Sequence, residues 1–279
     1  EFQLGWRDYL GDFSYNVSAN FIWHACMWAK KADEAESSYM NPYLRVQQRI
    51  ADYYGALYHN LGYYDSASDV LNNPGINTAL NTGNLTAGDI MYEDTNGDGK
   101  IDGNDQRYLG NANTPRGQYG ININLGYKGF YFSALFQGST NFDMYIPGVM
   151  GMQTGQTTNM PIMFEYQTDF WTKTNRNAQY PRLMSNTPDN ADNNYASSDF
   201  WLVNGAYLRL KDVQFGYDFK YALLKRTNWI SHCKLGMSGQ NIFTISKASK
   251  YGLDPENGSV SNAAYPVQRV LAVTLNVGF

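Results

Sequence analysis

The chain has 279 residues, of which 43% are hydrophobic, 15% aromatic and only 16% charged, with a mean hydropathy of −0.49. No stretch reaches the roughly 18 consecutive apolar residues of a membrane-spanning helix, which excludes a helical membrane protein but not a barrel of alternating strands. The net charge of −4 argues against a nucleic-acid partner, because phosphate contacts require a basic surface.

The chain opens directly in alternating sequence, without an initiator Met, a basic segment or a signal-peptide core. A processed mature N-terminus would have the same appearance. We expect instead that the 279 residues are a piece of a longer polypeptide whose earlier part precedes Glu1.

Apolar and polar residues alternate with a period of two in seven segments, which predicts seven β-strands. In residues 12–24 the odd positions are apolar from Phe13 to Trp23, and Ile22 is the single apolar even position. The predicted strands are 1–8, 12–24, 117–127, 130–140, 207–219, 231–243 and 267–279, of which 231–243 has the weakest pattern. Successive side chains of a strand point to opposite faces, so each strand has one apolar and one polar face.

The predicted strands are long, and their ends are aromatic. Several reach 11 to 13 residues, whereas globular strands average about 5–6 and a tilted strand crosses a bilayer in roughly 9–11. Rings such as Trp23, Tyr127 and Phe279 lie where membrane proteins place interfacial aromatics. A soluble β-sandwich shows the same alternation, but strand length and ring placement favour an all-β transmembrane antiparallel barrel.

The connections alternate between short and long, which supports the barrel independently. Short turns are predicted near 9–11, 128–129 and 220–230, and long loops at 25–116, 141–206 and 244–266. Outer-membrane barrels have short periplasmic turns and long extracellular loops. Because seven strands cannot close an ordinary bacterial barrel, we expect the rest of the same polypeptide, or a partner chain, to complete the wall.

Residues 94–105 have the spacing of a calcium-binding loop. The predicted ligands are Asp94, Asn96, Asp98, the backbone carbonyl of Lys100, Asp102 and Asp105, with Gly99 at the position of the sharp turn. Asp105 replaces the usual Glu, and no helical pattern flanks the loop. An acidic turn without an ion is the alternative. A Ca²⁺ ion would tie down the long loop 25–116.

Two helices are considered within the long loops. Residues 46–61 combine helical spacing with a Tyr- and Gly-rich composition that favours extended structure, so periodicity does not decide between the two. Residues 161–173 are the stronger helix, because Pro161 suits a first turn and Ile162 and Phe170 contribute to an apolar side.

The sequence contains no recognisable catalytic motif. His24, His59 and His232 are scattered without an acidic or nucleophilic partner at a characteristic spacing. Cys26 and Cys233 are expected at opposite sides of the membrane and unbridged. The aromatic residues Trp171, Phe200 and Trp201 have rings that could stack on sugars, but packing within a loop explains them equally well.

Several segments, in order along nearly the whole chain, resemble signatures of SusC/RagA-like TonB-dependent outer-membrane transporters. They are 88–102 (GDIMYEDTNGDGKID), 119–138, 180–183 (YPRL), 204–213 (NGAYLRLKDV), 239–244 (GQNIFT), 254–256 (DPE) and 265–269 (YPVQR). Each segment alone is weak evidence, whereas the ordered series is specific.

The resemblance implies that the chain is the C-terminal part, about seven strands, of a 22-stranded barrel in the outer membrane of a Gram-negative cell. It implies nutrient import and no enzymatic activity. It also implies a SusD-like surface lipoprotein as a lid, oligosaccharides or peptides as substrates, and energy from a TonB complex. The plug and N-terminal domains of the family have no counterpart in these residues.

Two alternatives from other classes remain open at the level of sequence. One is a secreted calcium-binding β-sandwich that acts as a glycan-binding module, which would stay monodisperse without detergent. The other is an outer-membrane enzyme or a simple porin. Hydrolysis of a substrate by the purified complete complex would favour the enzyme.

Overall fold

The computed structural model describes residues 1–27, 29, 35–36, 55–73, 85–146, 168–183, 191–227, 229–257 and 267–279. The chain divides into two compact units. Unit 1 comprises residues 1–25, 114–142 and 204–279, and unit 2 comprises residues 26–113 and 143–203. None of the described helices combines the length and apolar character needed to cross a bilayer.

The described elements are mostly strands. In chain order they are β1 (Phe2–Leu10), β2 (Phe13–Trp23), β3 (Ala56–Leu57), β4 (Asn60–Tyr63), α1 (Ala67–Asn72), β5 (Ile90–Tyr92), β6 (Arg107–Tyr108), β7 (Gly117–Tyr127), β8 (Phe130–Thr140), β9 (Asp143–Tyr145), α2 (Ala191–Asn194), β10 (Leu202–Asn204), β11 (Tyr207–Asp218), β12 (His232–Ser246) and β13 (Val270–Gly278). Short 3₁₀ turns lie at Gly103–Asp105, Asp199–Trp201, Phe219–Tyr221, Ala248–Tyr251 and Pro255–Asn257.

Unit 1 is a single seven-stranded sheet in the order β1-β2-β7-β8-β11-β12-β13. Every neighbouring pair is antiparallel, so the sheet is a meander whose spatial order follows the chain. These are the seven strands that the alternation predicts, with bounds shifted by at most a few residues. The sheet is open, with β1 at one edge and β13 at the other. The predicted antiparallel pairing of the last strand with the one before it is confirmed.

Two-residue turns join the first two hairpins of the sheet. Leu10 pairs with Phe13, and Tyr127 pairs with Phe130. In the second turn Lys128 and Gly129 both have positive φ, 46° and 91°, as type I′ hairpins require. The third hairpin, β11–β12, turns through the longer segment 219–231. The meander places all three turns at the same end of the sheet.

A bulge interrupts β11 near its first third. The register shifts between Leu210 and Asp212, so that Lys211 has no pairing partner on β8. An extra residue of this kind bends a strand and redirects the side chains around it. The bulge therefore sits where the segment 204–213, part of the family resemblance, carries its charged residues.

Unit 2 has its own core, although it is built from the two segments that the sequence predicts as long loops. Its short strands pair as β3–β6, β4–β5 and β9–β10. A cluster of buried residues lies at its centre, namely Tyr58, Ile90, Tyr92, Ile101 and Ala196. The predicted loops 25–116 and 141–206 are thus largely one compact body within their described parts.

The helix predicted at 161–173 is wrong over its described end, residues 168–173, and its first part lies outside the described residues. Phe170 forms an isolated bridge with Tyr180, and the backbone N–H of Trp171 donates to the Tyr180 carbonyl at 2.9 Å. Trp171 is buried close against Gly88, whose φ is 92° and where a Cβ atom would come within 2.4 Å of the indole. Packing of this ring favours an extended segment over a helix.

For residues 46–61 the described part favours the extended alternative. Residues 46–54 lie outside the described residues, whereas β3 begins at Ala56 and β4 at Asn60. The backbone N–H of Tyr58 donates to the Ser197 carbonyl at 2.9 Å, which ties this stretch into the core of unit 2.

Candidate membrane-facing surface and ion-paired clusters

One side of the unit 1 sheet is apolar across all seven strands, and we call it the apolar face. The strand registers align Trp6, Val17, Ile123, Ala134, Val213, Gly239 and Leu271 in a single row. The rows on either side continue it with further aliphatic and aromatic residues, apart from Asp8 on the edge strand β1. Large side chains remain exposed even on inner strands, such as Phe215 at 52% and Met237 at 62%. An exposed apolar surface of this extent marks a contact with a membrane or a partner.

The opposite side of the sheet is polar, and we call it the polar face. Its middle row carries Ser18, Asn122 and Leu135 on adjacent strands, and the next row carries Asn16, Asn124 and Ser133. The side-chain amide of Asn124 donates to the side-chain oxygen of Asn122 at 3.3 Å. Such a surface suits water or a polar protein surface and not hydrocarbon. The two faces therefore match those predicted from the alternation.

A buried ion cluster lies at the end of the sheet opposite the short turns. The Arg209 side chain is only 2% exposed and donates to both carboxylate oxygens of Asp254, at 2.7 and 2.8 Å. It also donates to Glu256 at 2.7 Å and to the Thr244 hydroxyl at 2.8 Å. Lys211, displaced by the bulge, donates to both oxygens of Glu256 at 3.0 and 2.8 Å.

This cluster joins two of the segments that carry the family resemblance, 204–213 and 254–256. Two cations face two anions, so the buried charges compensate each other and remain hydrogen-bonded. Each guanidinium nitrogen of Arg209 has its own partner, namely Thr244, Glu256 and Asp254, and these contacts fix the segment 254–256 against β11. Sequence reasoning identified both segments but not their pairing, because nothing in their spacing along the chain indicates it.

A second buried ion pair lies within unit 2 and joins two further resemblance segments, 88–102 and 180–183. The Asp89 carboxylate is fully buried and accepts from Arg182 at 2.7 and 3.3 Å. It also accepts from the side-chain amide of Asn194 at 2.9 Å. The Arg182 backbone N–H donates to the Gly88 carbonyl at 3.0 Å, so main chain and side chain form one clamp.

His59 has an acidic partner, Asp199, that is 140 positions away and therefore lies outside any characteristic sequence spacing. Its Nδ1 lies 2.5 Å from a carboxylate oxygen of Asp199, and the other oxygen accepts from the backbone and side chain of Asn60 at 2.8 and 2.6 Å. The pair joins two parts of unit 2 that are distant along the chain. Its described contacts tie the segment around His59 to the 3₁₀ turn at Asp199–Trp201.

The predicted calcium loop lies between β5 and β6, and its acidic side chains bind the loop's own backbone. Asp94 accepts from the N–H groups of Gly97 and Gly99 at 2.7 and 2.8 Å. Asn96, Asp98 and Asp102 each accept from the N–H two residues further along, those of Asp98, Lys100 and Asn104. In the described parts of the chain no three His, Cys, Asp or Glu side chains are grouped closely enough to hold a metal ion.

Asp105 closes this loop from within. It is fully buried and accepts from the backbone N–H groups of Thr95, Asn96 and Asp102 at 2.9, 3.3 and 2.7 Å. Burial raises the pKa of its carboxyl, and the backbone hydrogen bonds partly oppose that shift. The loop is thus ordered by hydrogen bonds from its own backbone, and the calcium ion stays a prediction.

The aromatic residues of the long loops belong largely to the core of unit 2. Trp201 is 1% exposed, stacks on Tyr195 and meets Phe200 edge to face. Burial raises the pKa of Tyr92, whose hydroxyl donates to the Asn193 carbonyl at 2.7 Å. Packing therefore accounts for Trp171 and Trp201, and neither ring is exposed to a sugar. Both cysteines are free.

Comparisons with known proteins identify relatives by sequence, although no family model matches the chain. TonB-dependent receptor P3 of Formosa agariphila is 28% identical over 249 residues, which cover 85% of this chain and 23% of the relative. TonB-dependent receptor P39 of the same organism is 28% identical over 207 residues, covering 70% of this chain and 19% of the relative. The chain therefore spans about a fifth to a quarter of the length of these relatives.

Solved structures confirm the fold. The structure of the RagAB peptide transporter matches with a TM-score of 0.71 and 17% identity, over 99% of this chain and 28% of the matched chain. The RagAB peptide importer in its open-open state matches with a TM-score of 0.69 and 16% identity, over the same shares of the two chains. These names and this fold agree with the resemblance of the sequence to SusC/RagA-like TonB-dependent transporters.

Proposed function

We propose that this chain forms about seven strands of the wall of a TonB-dependent transporter that imports a nutrient across the outer membrane. The observation that carries the proposal is the apolar face, which continues in register across all seven strands. A soluble sandwich would cover such a face with a second sheet, whereas in unit 1 residues such as Phe215 and Met237 stay exposed. Hydrocarbon chains of the bilayer are the natural contact for it.

In this proposal the polar face lines the interior of the barrel. Asn and Ser residues on β2, β7 and β8 provide hydrogen-bonding groups without a net charge, as suits the wall around a plug domain or a hydrated path. The free edges of β1 and β13 then pair with strands of the remaining polypeptide, because a lipid-exposed sheet edge would leave backbone groups unsatisfied.

The three short turns mark the periplasmic end and the long connections mark the extracellular end. The Arg209 cluster then lies at the extracellular end of the wall. Unit 2, built from two of the long connections, is extracellular and accessible to a surface lipoprotein of the SusD type. Oligosaccharides and peptides are the substrate classes that the resemblance implies, and the matched RagAB structures are those of a peptide transporter and peptide importer.

The decisive experiment measures uptake in cells that lack the complete polypeptide. Complementation should restore growth on one class of oligosaccharide or peptide, and removal of TonB should abolish it again. Growth that persists without TonB would indicate a passive porin. Recovery of the protein as a monodisperse species without detergent would instead indicate the secreted sandwich. Co-purification of a lipoprotein with the complete polypeptide tests the proposed lid.

A cation in loop 94–105 is a separate proposal. It is supported by the spacing of the oxygen-bearing residues and by a backbone that already turns tightly at Gly97 and Gly99, whose φ values are 74° and 82°. Binding would require Asp94 and Asp98 to exchange backbone hydrogen bonds for the ion.

A further inference from the structure

The turn between β11 and β12 differs from the other two turns at its end of the sheet. The β1–β2 and β7–β8 turns have two residues each, whereas this turn occupies residues 219–231. It contains Lys220, Lys225 and Arg226 and no acidic residue, in a chain whose net charge is −4. In a protein with a negative net charge, three cations in one turn indicate that this turn contacts something negatively charged.

Lys220 shapes the turn from inside. Its Nζ donates to the backbone carbonyls of Thr227 and Ile230, at 2.5 and 2.8 Å, and so joins the two arms of the turn. The backbone N–H of Leu224 donates to the Phe219 carbonyl at 2.9 Å. Lys225 and Arg226 lie at the exposed tip and form no ion pair in the described parts of the chain.

The same turn exposes large apolar side chains to solvent. Leu223 is 76% exposed, Trp229 67% and Tyr221 50%. Trp229 stacks on the C-terminal Phe279, itself 84% exposed, with ring centroids 6.0 Å apart and planes inclined by 10°. Exposed aliphatic and aromatic groups beside unpaired cations are the composition of a segment that lies in a membrane interface.

The turn is continuous with the apolar face. Phe279 follows Leu275 and Val277 on the same side of the last strand. At the other arm, a Cβ atom on Gly129 would lie within 3 Å of both Tyr217 and Tyr221, so Tyr221 adjoins the last row of that face. The exposed apolar residues of the turn thus extend the surface that we assign to hydrocarbon.

From this arrangement we propose that residues 219–227 and 229–231, together with Phe279, bind the headgroup layer of the membrane and hold an anionic phospholipid. Leu223, Trp229 and Phe279 enter the boundary between headgroups and acyl chains, and Lys225 and Arg226 contact the lipid phosphate. The proposal rests on the membrane location in the proposed function, and charge complementarity selects an anionic lipid over a neutral one.

The test uses the complete polypeptide in nanodiscs of phosphatidylcholine containing a minor fraction of phosphatidylglycerol. Native mass spectrometry after extraction measures the phosphatidylglycerol that stays bound. The Lys225→Gln/Arg226→Gln double variant should bind it about thirty-fold more weakly, because each cation near an anionic surface contributes about 1 kcal/mol. The control Lys247→Gln/Lys250→Gln removes the same charge from exposed positions at the opposite end of the sheet and should bind like the wild type.

A second readout follows the apolar half of the anchor. The difference in emission between wild type and Trp229→Phe reports Trp229 alone, and lipids brominated on their acyl chains should quench it. Equal retention of phosphatidylglycerol by both double variants, or no quenching of the difference signal, overturns the anchor while leaving the transporter intact. Failure of the wild type to insert into nanodiscs overturns the membrane proposal and the anchor together.

Discussion

The assignment of the two faces makes a sharp prediction at the centre of β7, where Ile123 lies on the apolar face and Asn122 on the polar face. Neighbours of Ile123 in its row include Val17 and Ala134, and the whole row contains no group that could pair with a cation. Ile123 lies four residues from Tyr127 and six from Gly117, or about 14 and 20 Å from the ends of the strand. An arginine there is therefore held near the bilayer centre.

We expect Ile123→Arg to destabilise the folded barrel by roughly 2–4 kcal/mol, the range for Arg at the midplane. This corresponds to a loss of about thirty- to several-hundredfold in the folding equilibrium. Asn122→Arg introduces the same side chain at the same depth toward the polar face, and should cost well under 1 kcal/mol. The assay is the amount of folded complete polypeptide in outer-membrane fractions. Equal loss in the two variants would refute the assignment of the faces.

Three further predictions concern the polar clusters and the burial of unit 2. Arg209→Met should destabilise the protein by about 3 kcal/mol in denaturant unfolding and expose residues 254–256 to hydrogen exchange, since two carboxylates lose a buried cation. If loop 94–105 binds calcium, the ion should raise the melting temperature of the wild type and not of Asp98→Asn. Burial raises the pKa of Tyr64 from 10.0 to about 12. The neutral phenol therefore contributes about 3 kcal/mol to the free energy of unfolding below pH 10, and this contribution is lost as the pH rises toward 12.

Each of these has a matched control. Arg209→Lys keeps the charge but loses the planar group that reaches Thr244, Glu256 and Asp254 together, so it should recover less than half of the lost stability. No loss of stability in either variant would contradict the ion cluster. An identical calcium response in wild type and Asp98→Asn would dismiss the loop as the site. Tyr64→Phe should reduce the loss of stability at alkaline pH and remove one tyrosine that ionises late in a spectroscopic titration. If the late part of the titration is the same in the variant, Tyr64 is accessible to solvent and the reasoning is wrong.

The sheet was predictable because its strands are long and each obeys one rule. Alternation over about eleven residues fixes both the strand and the face of every side chain, as between Phe13 and Trp23 on β2. Where the alternation is interrupted, the structure shows a physical cause. Lys211 breaks the period of β11 because it is the extra residue of a bulge and turns toward Glu256.

Unit 2 was not predictable in the same way. Its strands have two to four residues, too few for a period to register, and its core gathers Tyr58, Ile90 and Ala196 from distant parts of the chain. The contact of His59 with Asp199 spans 140 positions, and no local spacing encodes it. In the calcium-like loop, the same spacing of acidic residues suits both ion binding and hydrogen bonding to the backbone of a turn. The sequence alone therefore cannot distinguish the two.

The alternation of tight turns and long connections has a consequence for the order of assembly. The hairpins β1–β2, β7–β8 and β11–β12 close locally, whereas β2 meets β7 only after about ninety intervening residues, 24–116. Closing a chain of that length costs about 2 kcal/mol more in entropy than closing the turn 219–231. Folding should therefore proceed by preformed hairpins that dock one after another, and the slow step at each junction is the search across a long connection. Folding of unit 2 shortens the connection that must be searched, so the rate at which unit 2 folds should limit the rate at which the sheet is completed.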